Sequence, residues 1–503
     1  MRHIVSAFSS SRIMQIIMLA GVVILGHFIA GRMFNVPSQR NIVILFTAVF
    51  FYPILRQPLL GVYLFFLIMP FIPFFRRLYY LQFARPQADP LIIVGDILIA
   101  LILIGLFFEF RARKDSLSDT KNFNIVIGGY FLYLLLRTFF FNIYPAQEAV
   151  MRFRLYGPSV LLFFIGAFYS SNSGTLKKIW ILTFWTGIFA ALYGLKQLLF
   201  GYSESERIWF SSISFTTLFI KGVARPFSFF QSPAAFADYM QMSLISIIVL
   251  SSWSRENISR IFYMLLLPVF FYGALITSVR SNWIGIFVSL LLWIFVIQFK
   301  STRSRIIMFS MLITLFGVSQ IFEIQNQSGL GIGSVFTVLG GGLTPQYADL
   351  LVNDRASAIS NPFEEHSLLS RVALWKYLFN LSTEPVMAIL GRGVGTLNAD
   401  SLYVTYLAEL GYPGLAFIIF LVIFLIVKAF SLLDKAESQE TRSLARGILV
   451  MNIAFAIINI TGTHIHSFPG DAYFWFWNGV LIKLEAQQRL SFRKKKNEDP
   501  DYD

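Results

Sequence analysis

The 503-residue chain contains no cysteine. Disulfides, thiol nucleophiles and thiolate metal sites are excluded together. Histidine is nearly as scarce: the five are His3, His27, His366, His464 and His466, and none stands in the HExxH spacing of a zinc hydrolase. His464 and His466 form a His-x-His pair in NITGTHIHSFPGD, but the sequence specifies no third ligand, so no metal and no other cofactor is expected. Charged residues make up only 14% of the chain, too few to solvate a soluble surface of this size. No self-similarity at a period of roughly 20–50 residues marks a solenoid or propeller. The first apolar run, Ser9 to Ala30, lacks a small-residue cleavage pattern and reads as a retained span.

What is present is hydrocarbon: 56% of residues are hydrophobic and the mean hydropathy is +0.66. About 20 helical residues rising ~1.5 Å each cross the roughly 30 Å apolar layer of a bilayer. Runs of that kind recur at 13–30, 41–55, 59–75, 91–110, 123–141, 158–170, 179–200, 234–252, 261–279, 283–299, 306–322, 402–427, 447–463 and 472–485. The expected fold is an all-α polytopic membrane protein with about 14 transmembrane helices. Residues 1–485 read as one bundle. A long external loop, 323–401, precedes the twelfth span, and 486–503 form a solvated tail.

A net charge of +14 would suggest nucleic acid in a soluble chain. Here Lys and Arg collect in alternate loops, and the larger share falls on the side of the two termini, which places both in the cytoplasm. That orientation sets the 323–401 loop outside. It also puts Asp96, Arg137, Lys196 and Asp238 towards the external ends of their helices. Intramembrane charges at a shared depth suggest a polar cavity opening outward, with snorkelling as the alternative for Arg137 and Lys196. Arg225, in ARPFSFFQSPAAFADYM, and Arg280, in TSVRSNWIG, are two further external cations.

Within the external loop, His366 to Asn380 places Leu368, Val372, Trp375 and Phe379 at helical spacing, with Arg371 and Lys376 off that stripe. An amphipathic helix capping the bundle or lying on the membrane is expected. GLGIGS at Gly329 and GRGVGT at Gly391 look like dinucleotide loops, yet neither follows a strand of a βαβ unit. The densest stretch is Leu390 to Gly414, LGRGVGTLNADSLYVTYLAELGYPG. Gly391, Gly393 and Gly395 allow a sharp bend or close approach to a ligand. Asp400 and Ser401 open a helix that breaks at Gly411, Pro413 and Gly414, and the simplest role for Asp400 is an N-cap.

This stretch resembles the signature of the O-antigen ligase and O-antigen polymerase superfamily: a His followed by Asn, Ser or Gln, then nine residues, Gly, two residues, and Gly, Thr or Tyr. Ser401, the nine residues Leu402 to Leu410, Gly411 and Gly414 match, while Asp400 stands where the ligases carry His. The order Arg371, Trp375, Pro385, Gly391, Gly393 also resembles the superfamily's approach to its signature, and the settings of Arg225 and Arg280 resemble its conserved arginines. The resemblance implies a metal-independent glycosyltransferase in the bacterial cytoplasmic membrane that takes glycan from undecaprenyl-pyrophosphate. It implies lipid and the lipid-linked glycan as partners, with a flippase and chain-length regulators nearby. Asp400 in place of His tilts the expectation from ligase to polymerase, and a transporter or flippase is the reading outside the enzyme class.

Transfer to a hydroxyl needs cations on the departing diphosphate, a base for the acceptor and a groove for sugars. Arg225 and Arg280 are expected to supply the first and Asp400 the second, with Glu364, Glu365 and His366 in reserve. Ser401, Arg371, Trp375, Arg392, Tyr403, Arg137 and Lys196 are the candidate substrate-binding residues, and Tyr347 is a further candidate ring.

Overall fold

The computed structural model describes residues 47, 49–83, 90–112, 120–140, 145–212, 218–220, 223–254, 256–294, 366–396, 399–466 and 468–498. The expected spans 13–30 and 306–322, residues 41–46 and 48 of the span 41–55, the Gly329 loop, Tyr347, Glu364 and Glu365 lie outside these residues. Eight described helical stretches are long and apolar enough to cross a membrane: Pro58–Tyr79, Leu91–Glu109, Glu148–Tyr169, Ser173–Phe200, Pro233–Trp253, Asn257–Leu275, Leu402–Lys435 and Gln439–Ile458. The chain is an all-α membrane protein. A pair of two-residue strands, β1 (Phe219–Ile220) and β2 (Val223–Ala224), is antiparallel and closes one loop.

From Pro58 onward, in chain order, the helices are α1 (Pro58–Ile68), α2 (Ile72–Phe83), α3 (Val94–Ala112), α4 (Lys121–Phe139) and α5 (Ala146–Phe153). Next come α6 (Gly157–Val160), α7 (Leu162–Tyr169), α8 (Ser173–Phe200), α9 (Glu204–Ser212) and α10 (Pro233–Trp253). Then follow α11 (Asn257–Leu265), α12 (Leu267–Leu275), α13 (Arg280–Leu292), α14 (His366–Leu381), α15 (Pro385–Leu390), α16 (Leu402–Lys435), α17 (Gln439–Ile458) and α18 (Gly470–Glu498). Their starts are chemically marked. Asn172, Ser232 and Ser438 each accept a backbone N–H of the first turn, from Thr175, Ala235 and Thr441. Pro233, at the first helical position of α10, has no N–H to leave unsatisfied.

Helix α10 is the axis of the bundle: 94% of its most apolar window is buried, and apolar residues surround it on every side. Its hydroxyls cost little at that depth. Ser243, Ser246 and Ser251 donate back to the carbonyls of Tyr239, Ser243 and Ile248 on the same helix. Helices α7 and α18 approach so closely that a Cβ on Gly166 would stand 2.0 Å from the Phe476 carbonyl oxygen, and one on Gly479 would stand 1.9 Å from that of Phe163. Reciprocal glycines of this kind bring backbones together where lipid supplies no hydrophobic drive. The Trp180 and Trp477 rings stack beside that seam, their centroids 4.3 Å apart.

Contacts between distant segments sort the loops into two ends. At one, Leu402 N–H reaches the carbonyls of Asn459 and Gly462, Arg137 reaches Leu390 and Gly391, and Asp238 meets Asn282. At the other, the Gln439 amide donates to Ser252 and Lys428 pairs with Glu485. Helix α18 runs on to Glu498, so much of the tail expected to be solvated coil continues the last helix.

Candidate active site

The signature stretch folds back on itself around the break in α16. Gly411 takes φ 71° and ψ −171°, which ends the first helical segment at Leu410. Non-helical backbone among packed helices requires internal partners for the carbonyls it frees. The preceding loop and α4 provide them: Arg392 N–H donates to Ala408 and Gly393 N–H to Glu409 from the loop, and the Tyr133 hydroxyl of α4 donates to Leu410. This explains the glycines. A Cβ on Gly391 would lie 2.3 Å from the Glu409 carbonyl carbon, and one on Gly411 would lie 2.5 Å from the Ala388 oxygen. The partner these glycines approach is the chain's own helix, where the sequence suggests a bulky ligand.

Two buried side chains hold the loop in place. Arg137 donates to the Leu390 and Gly391 carbonyls. The Glu409 carboxylate, 1% exposed, accepts from Gly395 N–H at 2.9 Å and from the Tyr156 hydroxyl at 2.5 Å. Arg152 reaches the Gly395 carbonyl from α5 and also pairs with Glu148. Nothing in the sequence pairs Glu409 with Tyr156, 253 residues away.

Asp400 is not the N-cap of α16. Ser401 occupies that position in extended backbone without a side-chain cap bond, while Asp400 takes φ 49° and projects its carboxylate outward. That carboxylate lies 3.5 Å from Arg371 Nε, its side chain 53% exposed. Trp375 Nε1–H donates to the Ala399 carbonyl at 2.7 Å, so α14 is docked on the signature by Trp375 and Arg371, two residues the sequence offers as substrate-binding candidates. The docking face is rotated from the expected stripe. Leu378 is buried against Ala399, Val404 and Ala408, whereas Phe379 is 44% exposed. The cause is α16 itself, which gives α14 an apolar partner along the Trp375–Leu378 line.

Among the remaining candidates, Ser401 is buried in the packing, Tyr403 donates to the Ala456 carbonyl at 2.9 Å, and the Arg392 side chain is exposed. Lys196 turns to Gly201 and to Glu206, whose carboxylate Gln197, Tyr193 and Ser203 also hold. Asp96 is paired with Arg154. The charges the sequence places at one depth therefore each have a protein partner at this end.

The two arginines share a turn. Arg225 Nη1 approaches the Thr277 and Ser278 carbonyls at 3.5 Å, and Arg280 begins α13 two residues later. Beside it, His464 Nδ1 lies 2.8 Å from Asp238 Oδ1, the Asn282 amide donates to the same oxygen at 2.6 Å, and the Ser281 hydroxyl stands 3.4 Å from His464 Nε2. The sequence marks Asp238 and His464 separately, but only the fold joins them. His466 faces away, its ring 4.0 Å from that of Tyr156 and 5.4 Å from that of Tyr406. Desolvation pushes its imidazole down to about 3. The His-x-His pair thus splits between two environments.

Three non-glycine residues among those described have left-handed backbone: Ser228, Ser278 and Asp400. One lies beside Arg225, one before Arg280 and one in the signature. Strain of this sort persists where surrounding structure over-determines it, and it clusters at functional sites. The Leu402 contacts to Asn459 and Gly462 bring the signature to the turn that carries His464, so the three segments meet at one end of the bundle. In comparisons with known proteins, no family model and no curated sequence matches this chain.

Proposed function

We propose that the protein is a membrane glycosyltransferase that polymerises lipid-linked oligosaccharide repeats on the external face of the bacterial cytoplasmic membrane. In this reading the bundle has about 14 spans with both termini inside, and the 323–401 loop is external. The donor is glycan on undecaprenyl-pyrophosphate. Arg225 and Arg280 take the departing diphosphate, because guanidinium stays charged and binds phosphate oxygens in bidentate fashion. A base at the same end, Asp400 in the sequence reading, takes the acceptor proton.

The observation that carries this reading is the meeting of Arg225, Arg280 and the Asp400–Arg371 pair at one end of the bundle, each segment bearing a strained residue. Cations of this kind suit a diphosphate leaving group, and on the external face, where nucleotide sugars are scarce, the donor that carries one is lipid-linked.

The test is purified protein in liposomes with lipid-linked oligosaccharide. Longer glycans on lipid are expected, and Arg280→Ala should abolish extension while protein remains in the membrane. Translocation without extension would replace this reading with a transporter. Transfer to lipid A core or protein without extension would replace it with a ligase.

A further inference from the structure

Resting on that reading, the geometry points to His464, oriented by Asp238, as the base that deprotonates the acceptor hydroxyl. Asp238 is 2% exposed and His464 6% exposed, so the contact between them is shielded from water. With the Asp238 oxygen 2.8 Å from Nδ1, that nitrogen carries the proton and donates it, which leaves the lone pair on Nε2. The Asn282 amide fixes the carboxylate from the other side, and it stands 3.4 Å from the Gln241 side-chain oxygen. The ring itself is seated on Gly462, where a Cβ would fall 2.2 Å from Nε2.

Nε2 is therefore aimed, and the group it meets is a hydroxyl. Ser281 Oγ lies 3.4 Å away, longer than a tight hydrogen bond and partly open. A hydroxyl of an acceptor sugar entering beside Ser281 would occupy the same side of the imidazole. Arg280 precedes Ser281 in the chain, and Arg225 reaches the turn just before it, so the cations for a diphosphate and the lone pair for a hydroxyl adjoin one helix start. Asp400, by contrast, is half-exposed and faces Arg371. That contact makes it a docking group for α14 and the acceptor side of the site.

The step balances without a metal. The acceptor oxygen bonds the donor's anomeric carbon as its proton passes to His464 Nε2. The bond from that carbon to the diphosphate oxygen breaks, and its electron pair leaves on the diphosphate between Arg225 and Arg280. A single displacement inverts the anomeric centre.

The experiment uses reconstituted full-length protein and lipid-linked oligosaccharide. His464→Gln is expected to lower the extension rate about 10²-fold or more, the range for loss of a general base, while donor binding and melting temperature stay close to the parent's. His464→Gly should recover extension when imidazole is added, a response that loss of packing would not give, and the new linkage should be inverted. Normal extension by His464→Gln, no rescue of His464→Gly, or a glycosyl adduct on Ser281 would overturn the assignment. Failure of the parent protein to extend any glycan would overturn the polymerase reading itself.

Discussion

At the residue scale, the two histidines of one short turn make opposite predictions. His466 lies between aromatic rings, with its imidazole lowered from 6.5 to about 3 by desolvation. Between those values the unfolded chain binds a proton that the folded chain does not, so stability falls as pH drops from 6.5 towards 3. His466→Phe should flatten that part of a melting-temperature profile recorded in detergent. An unchanged slope would mean that other groups set it. Gly411→Ala asks a different question. A side chain at φ 71° carries a strain of about 1–3 kcal/mol and also meets the Ala388 carbonyl. A melting temperature lowered by several degrees, with loss of the ordered signature, is the expected result.

At the element scale, the break in α16 was legible because Gly411, Pro413 and Gly414 follow a helical run, and local chemistry alone dictates it. The helix from His366 was legible from its period. Its buried face was not, because a rotation that exchanges Phe379 for Leu378 depends on which surface α16 offers. The same limit applies to the site. Asp238, Arg225, Arg280 and His464 each stand out in the sequence as a charge or imidazole near an external helix end. Which of them pair is set by helix packing across more than 200 residues, and no spacing encodes that. Glu409 is the hardest case, since a carboxylate nine residues past Asp400 in an apolar run carries no sign of a distant tyrosine. Its removal has a defined cost: Glu409→Leu leaves the Tyr156 hydroxyl and Gly395 N–H without this acceptor, a loss of about 1–3 kcal/mol. The loop at 391–395 should then become protease-sensitive in native membranes at temperatures where the parent resists.

At the scale of the whole molecule, the absence of cysteine becomes an experimental advantage. Any cysteine introduced is the only one in the chain, so a membrane-impermeant maleimide reports its side without background. The fold defines two ends through contacts between distant segments. Arg392 and Ile460 are exposed at the end that gathers Arg225, Arg280 and His464, while Glu256 and Glu437 are exposed near the Ser252–Gln439 contact at the other. In the proposed orientation, with the Lys- and Arg-rich side inward, that second side is the cytoplasmic one. Arg392→Cys and Ile460→Cys should be labelled in intact cells, or in spheroplasts if an outer barrier is present. Glu256→Cys and Glu437→Cys should be labelled only after the membrane is opened. The opposite pattern would put the arginine turn and the His464–Asp238 pair in the cytoplasm, where nucleotide sugars are plentiful, and the case for a lipid-linked donor would lose its basis. Labelling of Arg392→Cys and Ile460→Cys from different sides would break the site itself, because the Leu402 contacts to Asn459 and Gly462 require both loops at one face.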